Sequence, residues 1–272
     1  MRALVASNPG GSDRDNEDWF HADQNLAVVL DGATARTDTG CLHGVTWYAH
    51  RLGTIVVELA RDLSVPLAEV LAAAITRVAD DHRGTCDLEH PGTPSAGIGL
   101  VRFRPAELEY LVLGDVSLVI DQAGQVRIVS DDRVSRTAAG QRAEADRHPI
   151  GSASKAAALL AMKHAELAAR NVPDGYWIAE TDPIAAQHAL TGTTSTDNRT
   201  RVAVLSDGAA RAVAFGLLDW PGALDLLRSK GPAELIARVR RAEAEDPQGI
   251  RWRRNKRSDD ATAVYVDEFG VW

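Results

Sequence analysis

Short apolar runs separated by turn residues occur along most of the chain, and this is the pattern of β-strands. The runs are rich in Val, Ile, Leu and Tyr, and they predict strands at residues 26–30, 97–102, 108–113, 117–121, 126–129, 201–205 and 262–266. The strands between 108 and 129 follow one another through short turns, which join antiparallel neighbours. The middle of the chain is therefore predicted to form antiparallel sheet.

Longer segments with apolar residues at helical spacing lie between the strands. They predict helices at residues 44–61, 67–82, 155–170 and 223–244. The polar stretches 131–147 and 191–199 are predicted as loops, either mobile over a site or ordinary surface loops. No repeat, low-complexity tract or long linker divides the sequence, so residues 1–272 are predicted to form one α+β domain.

Composition narrows the class of protein. With 45% hydrophobic and 25% charged residues the chain can bury a sizeable core. The net charge of −8 argues against a nucleic-acid partner, and no apolar run approaches the ~18–20 residues of a membrane span. Cys41 and Cys86 form no CxxC pair and have no histidines at zinc spacing, so neither a disulfide framework nor a zinc site is predicted. We expect a cytoplasmic protein. Only four of the 30 cationic residues are lysine, which weakly favours a GC-rich bacterial origin.

Acidic residues recur at the ends of predicted strands or in the turns beside them. The groups are Asn16-Glu17-Asp18, Asp31-Gly32, Gly114-Asp115, Ser206-Asp207-Gly208 and Asp259-Asp260. Any one of them could be an ordinary turn, because Asp-Gly is a common hairpin connection. Their repetition favours a site, since strand ends converge and clustered carboxylates repel one another unless cations neutralise them.

An all-oxygen set of ligands selects hard cations, which indicates Mg²⁺ or Mn²⁺ rather than zinc or copper. A bridging carboxylate can hold two such ions ~3.5–4 Å apart, a spacing that polarises a shared water and clamps phosphate oxygens. Gly32, without a side chain, could present its backbone carbonyl to a metal ion. The pattern thus predicts a two-ion centre for phosphate-ester hydrolysis.

The basic run from Arg251 to Arg257, which contains Trp252, directly precedes the last acidic pair. One interpretation is a solvated surface loop. The other is a cationic rim that attracts a phosphorylated partner to the acidic site.

Six short motifs span residues 11–266 in a characteristic order. They are Asn16-Glu17-Asp18, Val29-Leu30-Asp31-Gly32, Thr93-Pro94-Ser95-Ala96-Gly97, Leu113-Gly114-Asp115, Leu205-Ser206-Asp207-Gly208 and Asp259-Asp260-Ala261-Thr262. In order and spacing they resemble the motifs of the metal-dependent protein phosphatases of the PPM family, the type 2C serine/threonine phosphatases. The resemblance implies a four-layer αββα sandwich of two antiparallel β-sheets flanked by helices.

The resemblance also implies roles for the acidic residues. Asp31 resembles the aspartate that bridges two Mg²⁺ or Mn²⁺ ions, and Gly32 resembles the carbonyl ligand. Asp207 and Asp259 resemble the ligands of the second ion, while Asp115, with Asp207, resembles the site of a third. The implied reaction is removal of phosphate from phosphoserine or phosphothreonine in proteins by a metal-bridging hydroxide.

The remaining roles involve departures from the family pattern, as in a divergent branch. Glu17 and Asp18 resemble the pair that holds metal-bound waters. The general-acid histidine that often follows the Asp-Gly motif is missing; His43 could replace it, or could be a helix-capping or packed histidine. The phosphate-binding arginine is also displaced, and Arg14 or Arg36 could substitute for it.

Two rival functions stay open at this stage. Altered residues at positions 33–36 could shape a pocket for a small phosphorylated metabolite. The missing histidine also permits a non-catalytic binding module that keeps the fold.

Overall fold

The computed structural model describes residues 1–12 and 14–269. Its strands are β1 (Arg2–Asn8), β2 (Trp19–Ala22), β3 (Leu26–Gly32), β4 (Ala96–Arg104), β5 (Glu107–Leu113), β6 (Ser117–Gln122), β7 (Gln125–Val129), β8 (Leu190–Ser195), β9 (Arg201–Leu205) and β10 (Ala261–Asp267). Its helices are α1 (Gly44–Leu59), α2 (Leu67–His82), α3 (Arg133–Arg136), α4 (Ala139–Asp146), α5 (Ala153–Ala168), α6 (Asp207–Ala214), α7 (Trp220–Lys230) and α8 (Pro232–Glu245), with a 3₁₀-helix at Pro183–His188.

The strands form two five-stranded sheets in which every pairing is antiparallel. The first sheet has the order β1-β10-β9-β6-β7 and the second has the order β2-β3-β4-β5-β8. The predicted α+β class, with two antiparallel sheets flanked by helices, is confirmed.

Three apolar layers hold the sandwich together. Alternation along β3 shows how: Leu26, Val28 and Leu30 pack in the layer under α1 and α2, whereas Ala27 and Val29 face the layer between the sheets. Residues of the first sheet form a third layer with α6, α7 and α8. Burying each large aliphatic side chain contributes roughly 1.5–3 kcal/mol, so strands covered on both faces make a rigid base.

The prediction of one long helix at residues 223–244 is wrong, because the segment forms two helices, α7 and α8. Gly231 separates them with a φ of +84°, a left-handed conformation that favours glycine. Pro232 lacks a backbone N–H and begins α8, where no intrahelical donor is needed.

The prediction that residues 131–147 and 191–199 form loops is also wrong, because both segments contain regular secondary structure. The first contains α3 and α4, of which only Ala145 is buried, so no apolar periodicity marks them. The second contains most of β8, an edge strand with largely exposed side chains. Strands β1 and β2, which have few fully buried residues, were not predicted.

The acidic motifs lie together at one end of the sandwich. In the second sheet, Asp31 at the end of β3 pairs with Gly97 at the start of β4. In the first sheet, the end of β9 pairs with the starts of β6 and β10. A hydrogen bond from the Asp207 backbone N–H to Asp31 Oδ2, 2.9 Å long, joins these two rows of strand ends.

None of the helices in the described parts of the chain combines the length and apolar character needed to cross a membrane.

Candidate functional site

Three carboxylates form the floor of the site. Asp31 ends β3, and Asp207 is the first residue of α6, where the positive end of a helix favours a carboxylate. Asp115 lies in the bend between β5 and β6. That bend requires Gly114, because its φ is +80° and a Cβ there would approach the Gly97 Cα to 2.9 Å.

Asp18 and Glu17 reach the same site from the segment before β2. The Asp18 side chain is buried, and its Oδ2 has no hydrogen-bond partner. The Thr34 hydroxyl donates a hydrogen bond to Glu17 Oε2. Asp260 holds this segment from below by accepting hydrogen bonds from the backbone N–H groups of Gly10, at 2.6 Å, and Glu17, at 2.9 Å.

Burial and mutual repulsion disfavour ionisation of the clustered carboxylates. Burial raises the pKa of Asp18 to about 7, and burial together with the charges of Asp259 and Asp115 raises the pKa of Asp207 to about 8. Burial, followed by repulsion from Asp207 and other carboxylates, raises the pKa of Asp31 well above its ordinary value. Burial likewise raises the pKa of Asp115. Groups in this state favour either protons or a bound cation.

Asp259 differs because basic side chains already surround it. Arg211 Nη2 donates to Asp259 Oδ2 at 2.9 Å, and Lys256 Nζ donates to Asp259 Oδ1 at 2.5 Å. Burial raises the pKa of Asp259, but the charges of Lys256 and Arg211 outweigh it and lower the pKa overall. Lys256 Nζ also donates to Thr34 Oγ1 at 2.6 Å, and Arg211 Nη1 also donates to Glu243 at 2.6 Å.

The donor set fits hard divalent cations. The buried Asp18 Oδ2 without a partner, and the raised pKa values of Asp31 and Asp207, are what a carboxylate cluster shows when its counter-ions are divalent metals. Position 32 requires glycine, because a Cβ there would lie 2.5 Å from the Glu17 carbonyl oxygen and 2.6 Å from Val45 Cγ1. The Gly32 backbone carbonyl is an oxygen ligand of the kind that hard cations bind.

A cleft of about 540 Å³ opens above the floor. Asp31, Asp115, Asp207 and Asp259 are among the residues that line it. Basic side chains from the loop after β3, from α4 and α5, and from the basic run also line it, namely Arg36, Arg142, Lys163, Arg253 and Lys256. The cleft thus offers acidic and basic groups together, as recognition of a metal-bound anion requires.

The residues of the basic run stabilise their own loop and also line the cleft. Arg254 is buried and donates to Asp246 Oδ2 at 3.0 Å, so it holds the loop in place. The Trp252 indole N–H donates to the Phe215 carbonyl at 2.8 Å. Arg253, Arg254 and Lys256 all line the cleft, which agrees with the cationic-rim interpretation.

The predicted arginine candidates have different positions. Arg36 lines the cleft, and burial lowers its pKa. Arg14 lies at the edge of the acidic cluster, with Nη2 3.7 Å from Asp260 Oδ1 and 3.9 Å from Asp259 Oδ1. Lys256 and Arg211 were missed by the sequence analysis; the only signal was the position of Lys256 in the basic run, three residues before Asp259.

His43 is not among the cleft-lining residues. Its ring stacks on Trp47 with centroids 4.3 Å apart, and it lies beside both cysteines and His82. The sequence analysis predicted no zinc site at Cys41 and Cys86, yet the structure places His43 and His82 beside them. The fold brings together two Cys/His pairs from separate segments, and neither pair has a familiar zinc-ligand spacing.

Known proteins share this architecture. The chain aligns over 98% of its length, and 99% of the other chain, with the Mycobacterium tuberculosis serine/threonine phosphatase PstP/Ppp, at 15% identity and a TM-score of 0.61. The catalytic domain of PstP in complex with two manganese ions aligns at 16% identity, a TM-score of 0.57 and 98% and 97% coverage. The Mycobacterium smegmatis PPM Ser-Thr phosphatase MsPP, in complex with cacodylate, aligns at 17% identity, a TM-score of 0.57 and 99% coverage of each chain. At these identities the likeness establishes the fold.

Sequence comparison identifies the family. None of the curated proteins compared with the chain is similar enough to count as a relative. Residues 10–245, most of the chain, match the family model of protein phosphatase 2C. With the acidic motifs gathered at one end of two antiparallel sheets, the chain belongs to the protein phosphatase 2C, or PPM, family.

Proposed function

We propose that this protein is a metal-dependent phosphomonoester hydrolase that removes phosphate from phosphoserine and phosphothreonine in proteins. The observation that carries the proposal is the convergence of carboxylates from distant parts of the chain on one cleft that basic side chains also line. The carboxylates suit divalent cations and the basic side chains suit a phosphate dianion.

We assign different roles in metal binding to different acidic residues. In this proposal Asp31, the Gly32 carbonyl, Asp207 and Asp259 would hold two Mg²⁺ or Mn²⁺ ions, and Asp115 would contribute to a third. Such ions, when bound, acidify a water molecule and stabilise negative charge on phosphoryl oxygens. Glu17 and Asp18 lie beside this set and can orient metal-bound water through their oxygens.

Arg36 and Lys256 are the best-placed groups for the phosphate. Both line the cleft, and the Lys256 ammonium is 2.5 Å from the Asp259 carboxylate. Among the residues that the structure describes, none of those lining the cleft is a histidine. Water, rather than His43, is therefore our proposed proton donor for the leaving alkoxide.

The test is hydrolysis of phosphoserine and phosphothreonine peptides, assayed beside a panel of small phosphorylated metabolites. We expect activity to vanish in chelator and to return with Mn²⁺ or Mg²⁺ but not with Zn²⁺ alone. Asp31→Asn is the matched loss-of-site variant, and Asp80→Asn, at an exposed position on α2, is the control. Full activity in chelator contradicts the metal mechanism, whereas turnover confined to metabolites contradicts the protein substrate.

A non-catalytic phosphate-binding module is the second candidate, and one observation favours it. Both oxygens of Asp259 are engaged by Arg211 and Lys256, so a metal ion at Asp259 must displace or share a protein cation. Under this alternative, calorimetry detects phosphopeptide binding without turnover at any concentration of Mn²⁺. Metal-dependent turnover excludes it.

A further inference from the structure

A second cluster of metal-ligating side chains lies outside the cleft. Cys41, His43, His82 and Cys86 each offer one donor atom, and these four atoms all lie within 4.8 Å of one another. Cys86 Sγ is 3.1 Å from Cys41 Sγ and 3.3 Å from His43 Nδ1. Cys41 Sγ is 3.7 Å from His82 Nδ1 and 3.9 Å from His43 Nδ1.

The four residues come from two segments that the fold brings together. Cys41 and His43 lie at the end of the loop that leads from β3 to α1. His82 is the last residue of α2, and Cys86 follows it in the next turn. A backbone hydrogen bond from Asp87 N–H to the Gly40 carbonyl, 2.9 Å long, holds the two segments side by side.

The surroundings of the cluster restrict the orientation of its ligands. His82 is almost completely buried, and its Nδ1 faces the cysteines. Trp47 packs against both imidazole rings, with centroid distances of 4.3 Å to His43 and 5.2 Å to His82. A histidine buried at such a position, with its ring nitrogen directed at sulfur, is arranged as a ligand rather than as a filler of apolar space.

Backbone groups also point at the two sulfur atoms. The Leu42 N–H donates to Cys86 Sγ at 3.3 Å, and the His43 N–H donates to Cys41 Sγ at 3.4 Å. Donors of this kind stabilise the thiolate, which is the form of cysteine that binds metal.

We propose that Cys41, His43, His82 and Cys86 form a structural Zn²⁺ site. Two sulfur and two imidazole ligands suit zinc and not the hard cations of the carboxylate cleft. Four protein ligands also complete a tetrahedron and leave no position for substrate, which marks the site as structural rather than catalytic.

Distances support a tetrahedral ion. Zn–S and Zn–N bonds of about 2.3 and 2.0 Å give sulfur–nitrogen edges of about 3.5 Å and a sulfur–sulfur edge of about 3.8 Å. The three sulfur–nitrogen separations above, 3.3, 3.7 and 3.9 Å, lie close to that edge. The sulfur–sulfur separation of 3.1 Å is shorter, so zinc entry requires a small opening, but it is well beyond a disulfide bond of about 2.05 Å.

The ion would fasten the loop after β3 to the end of α2. That loop also carries Thr34 and Arg36, which line the cleft. Zinc would thereby restrict how far Arg36 can move, although it takes no part in the chemistry. The inference is independent of the proposed phosphatase activity.

The experiment begins with protein expressed with added zinc, purified under mild reducing conditions and freed of loosely bound metal. Elemental analysis should find about one zinc ion per chain in the wild type and in Asp31→Asn, and less than ~0.1 in Cys41→Ser/Cys86→Ser. His164→Ala, at an exposed position on α5, is the matched histidine control and should keep its zinc.

A second measurement decides the matter if the double cysteine variant does not fold. Wild-type protein loaded with Co²⁺ should show the strong visible absorption of a tetrahedral ion and thiolate-to-metal charge-transfer bands. Removal of zinc should lower the melting temperature by at least ~5 °C. Equal zinc in the wild type and the double cysteine variant, a Co²⁺ spectrum without thiolate bands, or a zinc-free protein with a Cys41–Cys86 disulfide would each overturn the proposal.

Discussion

Replacing Asp207 with asparagine separates a metal ligand from a turn residue of nearly the same shape. If Asp207 only shapes the turn before α6, the asparagine keeps the local hydrogen bonds and changes activity little. If it is a metal ligand, the change removes an anionic donor from a hard cation and also relieves repulsion with Asp31. The two possibilities therefore predict different activities and different metal-free stabilities for the variant.

The size of the stability effect follows from the pKa of Asp207, which is about 8 in the folded chain against an ordinary 3.8. Ionising such a group in the folded state costs roughly 6 kcal/mol if nothing else responds. The carboxylates titrate as a coupled cluster and the cleft admits water, so most of this cost is shared or screened. We expect Asp207→Asn to stabilise the metal-free protein by about 1–2 kcal/mol, or ~2–8 °C in melting temperature.

The sign of the pH dependence is fixed by the raised pKa. Stability contributed by Asp207 is complete below the unfolded pKa near 3.8 and is lost as the pH rises through about 8. The asparagine does not titrate, so the advantage of the variant should be small at pH 5 and largest above pH 8. Asp80→Asn, on the exposed surface of α2, should stay within about 0.5 kcal/mol of the wild type at every pH.

Metal should reverse the order of the two melting temperatures. At 100 times its dissociation constant, Mn²⁺ stabilises the wild type by about 2.7 kcal/mol, and the variant should gain much less. Activity of Asp207→Asn should fall at least ~100-fold. Near-normal turnover at low Mn²⁺, or melting curves that do not separate with pH in chelator, would refute the reasoning.

Three further substitutions test the supports of the site. Lys256→Met removes the cation that competes at Asp259, so Mn²⁺ affinity measured by calorimetry should rise at least ~5-fold while KM for a phosphopeptide increases; unchanged affinity contradicts the competition. Asp260→Asn replaces one of two acceptors with a donor, and the lost bond to the Glu17 N–H should cost about 1–2 kcal/mol in urea unfolding; no loss means that this contact is dispensable. Gly32→Ala drives a Cβ against the Glu17 carbonyl and should cost about 1–3 kcal/mol and weaken Mn²⁺ binding, whereas a wild-type melting curve contradicts that close contact.

The sequence predicted the central strands because their residues are apolar on both faces, as in β3 and β9. It did not predict β1, because strand β1 is half-buried and its apolar pattern is mixed. Helix α4 was missed for a similar reason, since Ala145 is its one buried residue. Secondary structure that rests on little burial leaves little trace in apolar periodicity.

The acidic floor could be predicted because each carboxylate stands at the end of an apolar strand. The basic partners of Asp259 could not be predicted, because nothing in the sequence indicates that Arg211 on α6 and Lys256 in a loop contact the same carboxylate. The Cys/His cluster could not be predicted, because its two halves lie on segments that only the tertiary fold brings together. The roles assigned to the acidic residues and the cytoplasmic location stay predictions.

The pairing of β1 with β10 has a consequence for synthesis of the protein. β10 lies between β1 and β9, so β1, the first of the ten described strands, pairs only with the last of them. Until residues 261–267 emerge from the ribosome, β1 and β9 each expose an unpaired edge that can join another chain. Asp259 lies just before β10, so the acidic motifs come together at one end of the sandwich only after this strand has been synthesised and paired.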